Sequence, residues 1–142
     1  MKKILLLIFI VLTSHHLCGQ VVVRLSAISN TSWSLKDSQI INKSVTLSFT
    51  SSSIKMHSYY KTIDKAIDKE ALFYLSNDVP KTFEKDEVGN NKKGKYLNVE
   101  TKSNFITYRI EAYNDKEITI SRVVKENQVI IGGTSPTTYV KK

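Results

Sequence analysis

The sequence predicts an all-β protein, a sandwich or a barrel built from short antiparallel strands. Three observations support this class. Apolar and polar residues alternate with a period of two over several short runs, the pattern of strands with one buried face. Turn-forming residues separate these runs at intervals of roughly 8–12 residues. No internal repeat or linker divides residues 20–142, so we expect one domain there.

The first 19 residues have the layout of a secretory signal peptide. Lys2 and Lys3 form a positive start, and residues 4–12 are an unbroken apolar run. That run is shorter than the roughly 20 residues that a membrane-spanning helix needs. We therefore expect cleavage after Gly19 and a protein exported to the periplasm or secreted.

A lipid anchor is the alternative fate of this segment. Cys18, the single cysteine of the chain, would carry the lipid, and membrane association is expected only in that case. A lipoprotein signal favours a small residue just before the cysteine, and Leu17 stands there instead. The sequence therefore favours the soluble exported form.

The strands are predicted in chain order from their alternation. Residues 45–49 alternate Val, Leu and Phe with Thr and Ser, and residues 54–58 resume the pattern after a hydroxyl-rich turn. Residues 105–111 and 118–123 repeat it near the end of the chain, with turns before and between them. These four runs predict strands with one buried face.

Residues 62–75 carry mixed signals. The first part, 62–69, has apolar residues at helical spacing, whereas 71–75 is dense in residues that favour strands. We predict a short helix or loop at 62–69, followed by a strand at 71–75.

Two further segments lack a clear period. Residues 76–94 contain Pro80 together with glycines and asparagines, which predicts a long exposed connection. Residues 20–30 are rich in strand-forming types without alternation, so a strand and a tether both stay open.

Residue types that carry chemistry are scarce beyond the predicted signal peptide. His57 is the single histidine left there, and no cysteine remains. Zinc needs three or four His, Cys or carboxylate ligands, and a serine nucleophile needs a histidine base and an orienting acid. His57 lies on the strand face opposite Ile54 and Met56 and is predicted to face solvent. The sequence therefore predicts no enzyme, no catalytic residue, no metal site and no cofactor.

The charge of the chain does not indicate nucleic-acid binding. The formal net charge is +8, but the lysines are spread along the sequence and arginine occurs only at Arg24, Arg109 and Arg122. Clustered arginines and aromatic stacking platforms are the usual marks of nucleic-acid readout. We expect no nucleic-acid partner.

Several short motifs resemble the small exported lipocalin-like proteins of Gram-negative bacteria, many of them without assigned function. They are Trp33-Ser34-Leu35, Tyr108-Arg109-Ile110, Ile118-Thr119-Ile120, Thr138-Tyr139-Val140-Lys141 and the segments 73–78 and 94–97. The resemblance covers most of residues 28–142. It implies a single up-and-down barrel of about eight antiparallel strands, with Trp33 plugging its closed end. The interior of such a barrel is either packed or holds one small ligand.

The leading hypothesis is a non-enzymatic, exported barrel that binds a small hydrophobic or amphipathic molecule. Aromatic and methionine side chains suit such a ligand because they supply area and adapt in shape. The residues predicted to line the cavity are Phe49, Met56, Tyr60, Phe73, Tyr108 and Ile120.

The alternative is an envelope protein–protein interaction module, of inhibitor or immunity type, with a packed barrel. The observation that favours this alternative is the long 76–94 connection, whose mixed charges would be carried on a rigid scaffold. A cavity of roughly 300 Å³ or more would favour the ligand, and a filled core the partner protein.

Overall fold

The computed structural model describes residues 21–37, 42–126 and 129–142. The predicted signal peptide, with Cys18, lies outside the described residues. Within these ranges the chain forms eleven strands and one turn of α-helix, α1 (Leu25–Ile28). The strands are β1 (Val23–Arg24), β2 (Thr31–Leu35), β3 (Lys43–Phe49), β4 (Ser53–Tyr60), β5 (Lys65–Ser76), β6 (Lys93–Gly94), β7 (Tyr96–Glu100), β8 (Phe105–Tyr113), β9 (Glu117–Glu126), β10 (Val129–Gly133) and β11 (Thr137–Lys141).

Eight of these strands close an antiparallel up-and-down barrel. Their order is β2, β3, β4, β5, β7, β8, β9 and β11, and β11 returns to pair with β2. The far end of β9 pairs with β10, and β1 pairs with β6 outside the barrel. The predicted fold class is confirmed. Among the described residues, no helix is both long enough and apolar enough to cross a membrane.

The alternation read from the sequence sets which side chains face inward. Val45, Leu47 and Phe49 are buried while their neighbours on β3 are partly exposed. The β3–β4 register places Leu47 opposite Met56 and Phe49 opposite Ile54, so both strands turn one apolar face to the interior. Burial of this face, rather than propensity alone, fixes the register.

Trp33 and α1 close one end of the barrel. Trp33 is fully buried, and its indole Nε1 donates a hydrogen bond to Thr31 Oγ1 at 2.7 Å. The ring centroids of Tyr113 and Trp33 lie 6.2 Å apart. The Tyr113 hydroxyl donates a hydrogen bond to Ala27 O at 3.2 Å, which connects α1 to the barrel wall. Ile28 is buried in the same core. The structural role that the resemblance implied for Trp33 agrees with this position.

The segment with mixed signals is a strand over most of its length. The helical part is a single 3-10 turn at Lys61–Ile63, and β5 begins at Lys65 rather than at 71. Asp64 completes the turn in the left-handed conformation, with φ of 47°. Continuous pairing with all of β4, from Ser53 opposite Leu72 to Tyr60 opposite Lys65, outweighs the helical spacing.

The 76–94 connection is packed against the outside of the barrel rather than fully exposed. Phe83 lies edge-on to Tyr74 at 5.2 Å and also contacts Phe105 at 6.2 Å, between ring centroids. At its end, Lys92 O accepts a hydrogen bond from Leu25 N before β6 pairs with β1. The start of the described chain is therefore held by this connection and is more than a tether.

Candidate functional site

A cavity of about 710 Å³ occupies the barrel interior, with walls that are mainly apolar. It extends from Leu47 and Ile54 to the β7–β8 turn at Thr101 and Lys102, and no described residue of α1 lines it. Its walls come from β3, β4, β5, β7, β8, β9 and β11. The apolar and aromatic lining residues are Leu47, Ile54, Met56, Ile67, Ala71, Leu97, Val99, Ile106, Tyr108, Ile120 and Tyr139.

The cavity opens through a gap between two strands. β5 is twelve residues long, but it pairs with β7 only where Phe73–Ser76 meet Tyr96–Val99. The part of β5 at 65–72 has no strand partner on that side among the described residues. Lining residues 67–71 and 99–102 flank the gap. A small molecule can therefore reach the interior from the side of the barrel.

Charged side chains surround this opening, while the deeper walls carry none. Lys69, Glu70, Glu100 and Lys102 lie at the rim. Glu70 is already engaged, because its carboxylate accepts a hydrogen bond from Ser53 Oγ at 2.9 Å and lies 3.7 Å from Lys55 Nζ. The cavity is therefore amphipathic, apolar inside and ionic at its entrance.

Two tyrosines bring polar atoms into the apolar interior. Tyr108 on β8 and Tyr139 on β11 both line the cavity. Burial raises the pKa of Tyr108, and the positive charge of Arg122 partly opposes this. Burial also raises the pKa of Tyr139, and the nearby Tyr108 raises it further. Both phenols are therefore neutral near pH 7 and can donate or accept a hydrogen bond.

Three of the six residues predicted from the sequence meet at this cavity. Met56, Tyr108 and Ile120 line it; whether they bind a ligand stays a prediction. Phe49 and Phe73 do not line it, because they are buried against each other, edge to face, with ring centroids 5.4 Å apart.

Tyr60 is the third prediction that the structure does not place at the cavity. It ends β4 opposite Lys65, and Lys43 Nζ lies 4.8 Å from the centre of its ring. The pattern of alternation gives Tyr60 the inward face but does not show that the strand has already run past the cavity there.

Several lining residues were missed by the sequence interpretation. Ile67 and Lys69 fell in the segment interpreted as a helix or loop, so their strand face was not considered. Tyr139 belongs to the closing motif of the chain and lies opposite Ile118 on β9. Continuing the period of two through β5 and β11 would have placed all three on the inward face.

The surface holds one close pairing of an imidazole with a carboxylate. His57 Nδ1 lies 2.7 Å from Asp68 Oδ1, and both side chains are largely exposed on the outer face of β4 and β5. The prediction that His57 faces solvent is confirmed. Within the described ranges, no group of three or more His, Cys, Asp or Glu residues is placed to hold a metal ion.

Comparisons with protein-family models, curated proteins and solved structures found no match to this chain. The eight-stranded up-and-down barrel is consistent with the lipocalin-like resemblance. Because no comparison matches, membership of the family stays a prediction.

Proposed function

We propose that this protein is an exported, non-enzymatic β-barrel that binds one small hydrophobic or amphipathic molecule inside the barrel. The single observation that carries the proposal is the cavity of about 710 Å³ with apolar walls and a lateral entrance. Ligand pockets have volumes of roughly 300–1,000 Å³, with mostly apolar linings and a few polar groups that orient the ligand.

The composition of the cavity indicates the kind of molecule. Leu47, Ile106 and Ile120 offer aliphatic surface, and Met56 adds a side chain that adapts to irregular shapes. The phenols of Tyr108 and Tyr139 would orient one polar group of the ligand. Charges at the entrance would keep a polar end near water, which is why an amphipathic molecule suits the site as well as a purely apolar one.

The cavity is also the reason to prefer a ligand over the alternative of an envelope interaction module. That alternative expected a filled barrel that carries the 76–94 connection as an exposed loop. Here Phe83 fastens the connection to the barrel wall through Tyr74 and Phe105.

Binding can be tested with the neutral apolar dye N-phenyl-1-naphthylamine and with native mass spectrometry. Ala71, partly buried at the cavity, and Ala66, exposed on the same strand, allow a matched pair of variants. We expect one dye per chain, at least tenfold weaker binding to Ala71→Phe, and unchanged binding to Ala66→Phe. A clean ligand-free mass from the native source, with no binding of dye or fatty acids, would refute the proposal.

Export is tested separately, on the product made in a Gram-negative host. We expect the protein in the periplasmic fraction or the medium, with Gln20 as its first residue. Labelling with a clickable fatty acid that marks Cys18 would instead establish the lipid-anchored form.

A further inference from the structure

A second cavity lies where β8 and β9 separate. The two strands pair from Tyr108 opposite Arg122 toward Tyr113 opposite Ile118, but Phe105–Thr107 have no partner on β9. Beyond Arg122, β9 is paired only on its other edge, with β10, which continues the edge that β11 pairs with. The resulting wedge has a volume of about 480 Å³. It is lined by Lys81, Asn104, Phe105, Ile106, Thr107, Arg122, Val123 and Lys125, and we call it the cationic wedge.

The lining of the cationic wedge has charges of one sign. Lys81 reaches it from the 76–94 connection, while Arg122 and Lys125 reach it from β9, and no carboxylate lines it among the described residues. Like charges gathered in a partly enclosed space repel one another, more strongly than on an open surface because water screens them less. A bound anion would relieve that repulsion.

Lys125 is held in place by a carbonyl oxygen and an aromatic ring. Its Nζ donates a hydrogen bond to Pro80 O at 2.7 Å and lies 5.4 Å from the centre of the Phe105 ring. Burial lowers the pKa of this amine, as expected for a cation that is partly withdrawn from water. One carbonyl oxygen uses one of its three donors, which leaves hydrogen-bonding capacity for a ligand.

Arg122, which lines the cationic wedge, is fixed at its backbone. Arg122 N donates to Thr134 Oγ1 at 3.1 Å, and Arg122 O accepts from Thr134 N at 2.9 Å. The described residues contain no ion pair to its side chain. A guanidinium presents a planar set of donors that matches two oxygens of a carboxylate or phosphate at once.

We propose that the cationic wedge is a binding site for an oxyanion, a carboxylate or a phosphate group, held by Arg122, Lys125 and Lys81. Carboxylate and phosphate oxygens are the acceptors that these three side chains bind best. The cationic wedge adds a charged site to a barrel for which only an apolar one was proposed above.

The oxyanion has two potential sources, a free ion or the head group of a molecule seated in the apolar cavity. The two cavities adjoin, because Ile106 lines both of them. Tyr108 lines the apolar cavity and its cross-strand partner Arg122 lines the cationic wedge. The experiment therefore needs one arm for each source.

The first arm titrates inorganic phosphate into the full exported chain and follows backbone amide shifts by NMR. We expect the shifts to centre on 104–107 and 122–125, with at least tenfold weaker binding to Arg122→Gln and Lys125→Gln. Lys61→Gln, which removes the same charge from an exposed turn, is the matched control and should bind like the wild type. Arg122→Lys and Lys125→Arg keep the charge and should restore most of the binding.

The second arm compares decanoate with decanol, which share a chain and differ in the charge of the head. A preference for decanoate that disappears in Arg122→Gln and Lys125→Gln, but not in Lys61→Gln, would identify the head group as the source. Absence of phosphate binding together with no preference for decanoate would overturn the cationic wedge as an anion site. The proposal would also be overturned if Lys61→Gln lost as much phosphate binding as Arg122→Gln and Lys125→Gln. Equal binding of decanol and decanoate would leave the apolar site standing, so the two proposals fail independently.

Discussion

Tyr108 on β8 and Arg122 on β9 lie directly opposite each other, and each lines a different cavity. From this pair to Tyr113 opposite Ile118, the two strands are paired as part of the barrel wall. On the other side of the pair they separate, so the tip of the β7–β8 hairpin lies between the apolar cavity and the cationic wedge. Ile106, near the hairpin tip, contacts both spaces. One strand pair thus marks where the barrel stops being closed.

This pairing makes the titration of Tyr108 sensitive to Arg122. The charge of Arg122 lowers the pKa of the Tyr108 phenol, while the larger effect of burial raises it. Arg122→Gln should therefore move the pKa of Tyr108 upward. Ultraviolet titration of the tyrosinates, with Tyr108→Phe identifying the component, measures the shift. An unchanged titration curve would show that the guanidinium does not act on the phenol.

Alkaline pH should weaken the fold partly through Tyr139. Its pKa is raised in the folded protein, by burial first and by Tyr108 second. An acid with a raised folded pKa stabilises the fold fully below its unfolded pKa of about 10, and this contribution is lost as the pH rises through the folded value. Urea denaturation between pH 7 and 11 should therefore show that the free energy of unfolding falls less with rising pH in Tyr139→Phe than in the wild type. Parallel losses in both proteins would contradict this reasoning.

The parts of the fold that could be predicted from sequence are those governed by local alternation. Val45, Leu47 and Phe49 identify a strand and its buried face without further information. The sequence does not reveal how far along the barrel each inward residue lies. Phe49 and Phe73 are on the predicted face, yet they fill the closed end beside Trp33, and only residues such as Met56 reach the cavity.

Non-local pairing explains the remaining differences between the prediction and the structure. Residues 65–69 are mostly charged, so their local sequence pattern gives little indication of a strand. They form one because they pair with β4 in a long hairpin. The cationic wedge depends on where β9 loses β8 as its partner strand. The end of that pairing is a property of the whole sheet, and no local pattern around Arg122 or Lys125 indicates it.

Trp33 should be the costliest single side chain to remove from the closed end. Trp33→Ala would leave a large void beside Tyr113 and leave Thr31 without its indole donor. Truncating a fully buried aromatic side chain costs roughly 3–5 kcal/mol. Urea denaturation followed by circular dichroism measures the loss, with Leu72→Ala, exposed at 37%, as the control. A loss no larger than that of the control would show that Trp33 does not hold the closed end.

Gly94 should tolerate no side chain because β6 crosses the end of β5 at very short range. A Cβ at Gly94 would lie 2.6 Å from both Ser76 N and Ser76 O, which are backbone atoms that cannot turn away. Overpacking of this kind costs about 1–3 kcal/mol. We therefore expect Gly94→Ala to destabilise the protein, while Lys93→Ala, an exposed change on the same short strand, should have little effect. Equal stability of the two variants would mean that the strands can separate at no cost.

The lateral entrance predicts an uneven protection of β5 against hydrogen exchange. In an antiparallel pair, every second amide of a strand points to the same neighbour. Over 65–72 only the edge toward β4 is paired, whereas over 73–76 β5 pairs with β7 and keeps one bond on the other side, from Phe73 N to Ser52 O. Amides in 65–72 should therefore alternate between slow exchange, where they point to β4, and fast exchange, where they point to the gap, and the bonded amide of Phe73 should exchange slowly. Exchange measured residue by residue by NMR tests this, because uniform protection through 65–72 would mean that another element covers the edge and closes the entrance. Ala66→Phe, on the outer face, should leave the alternation unchanged.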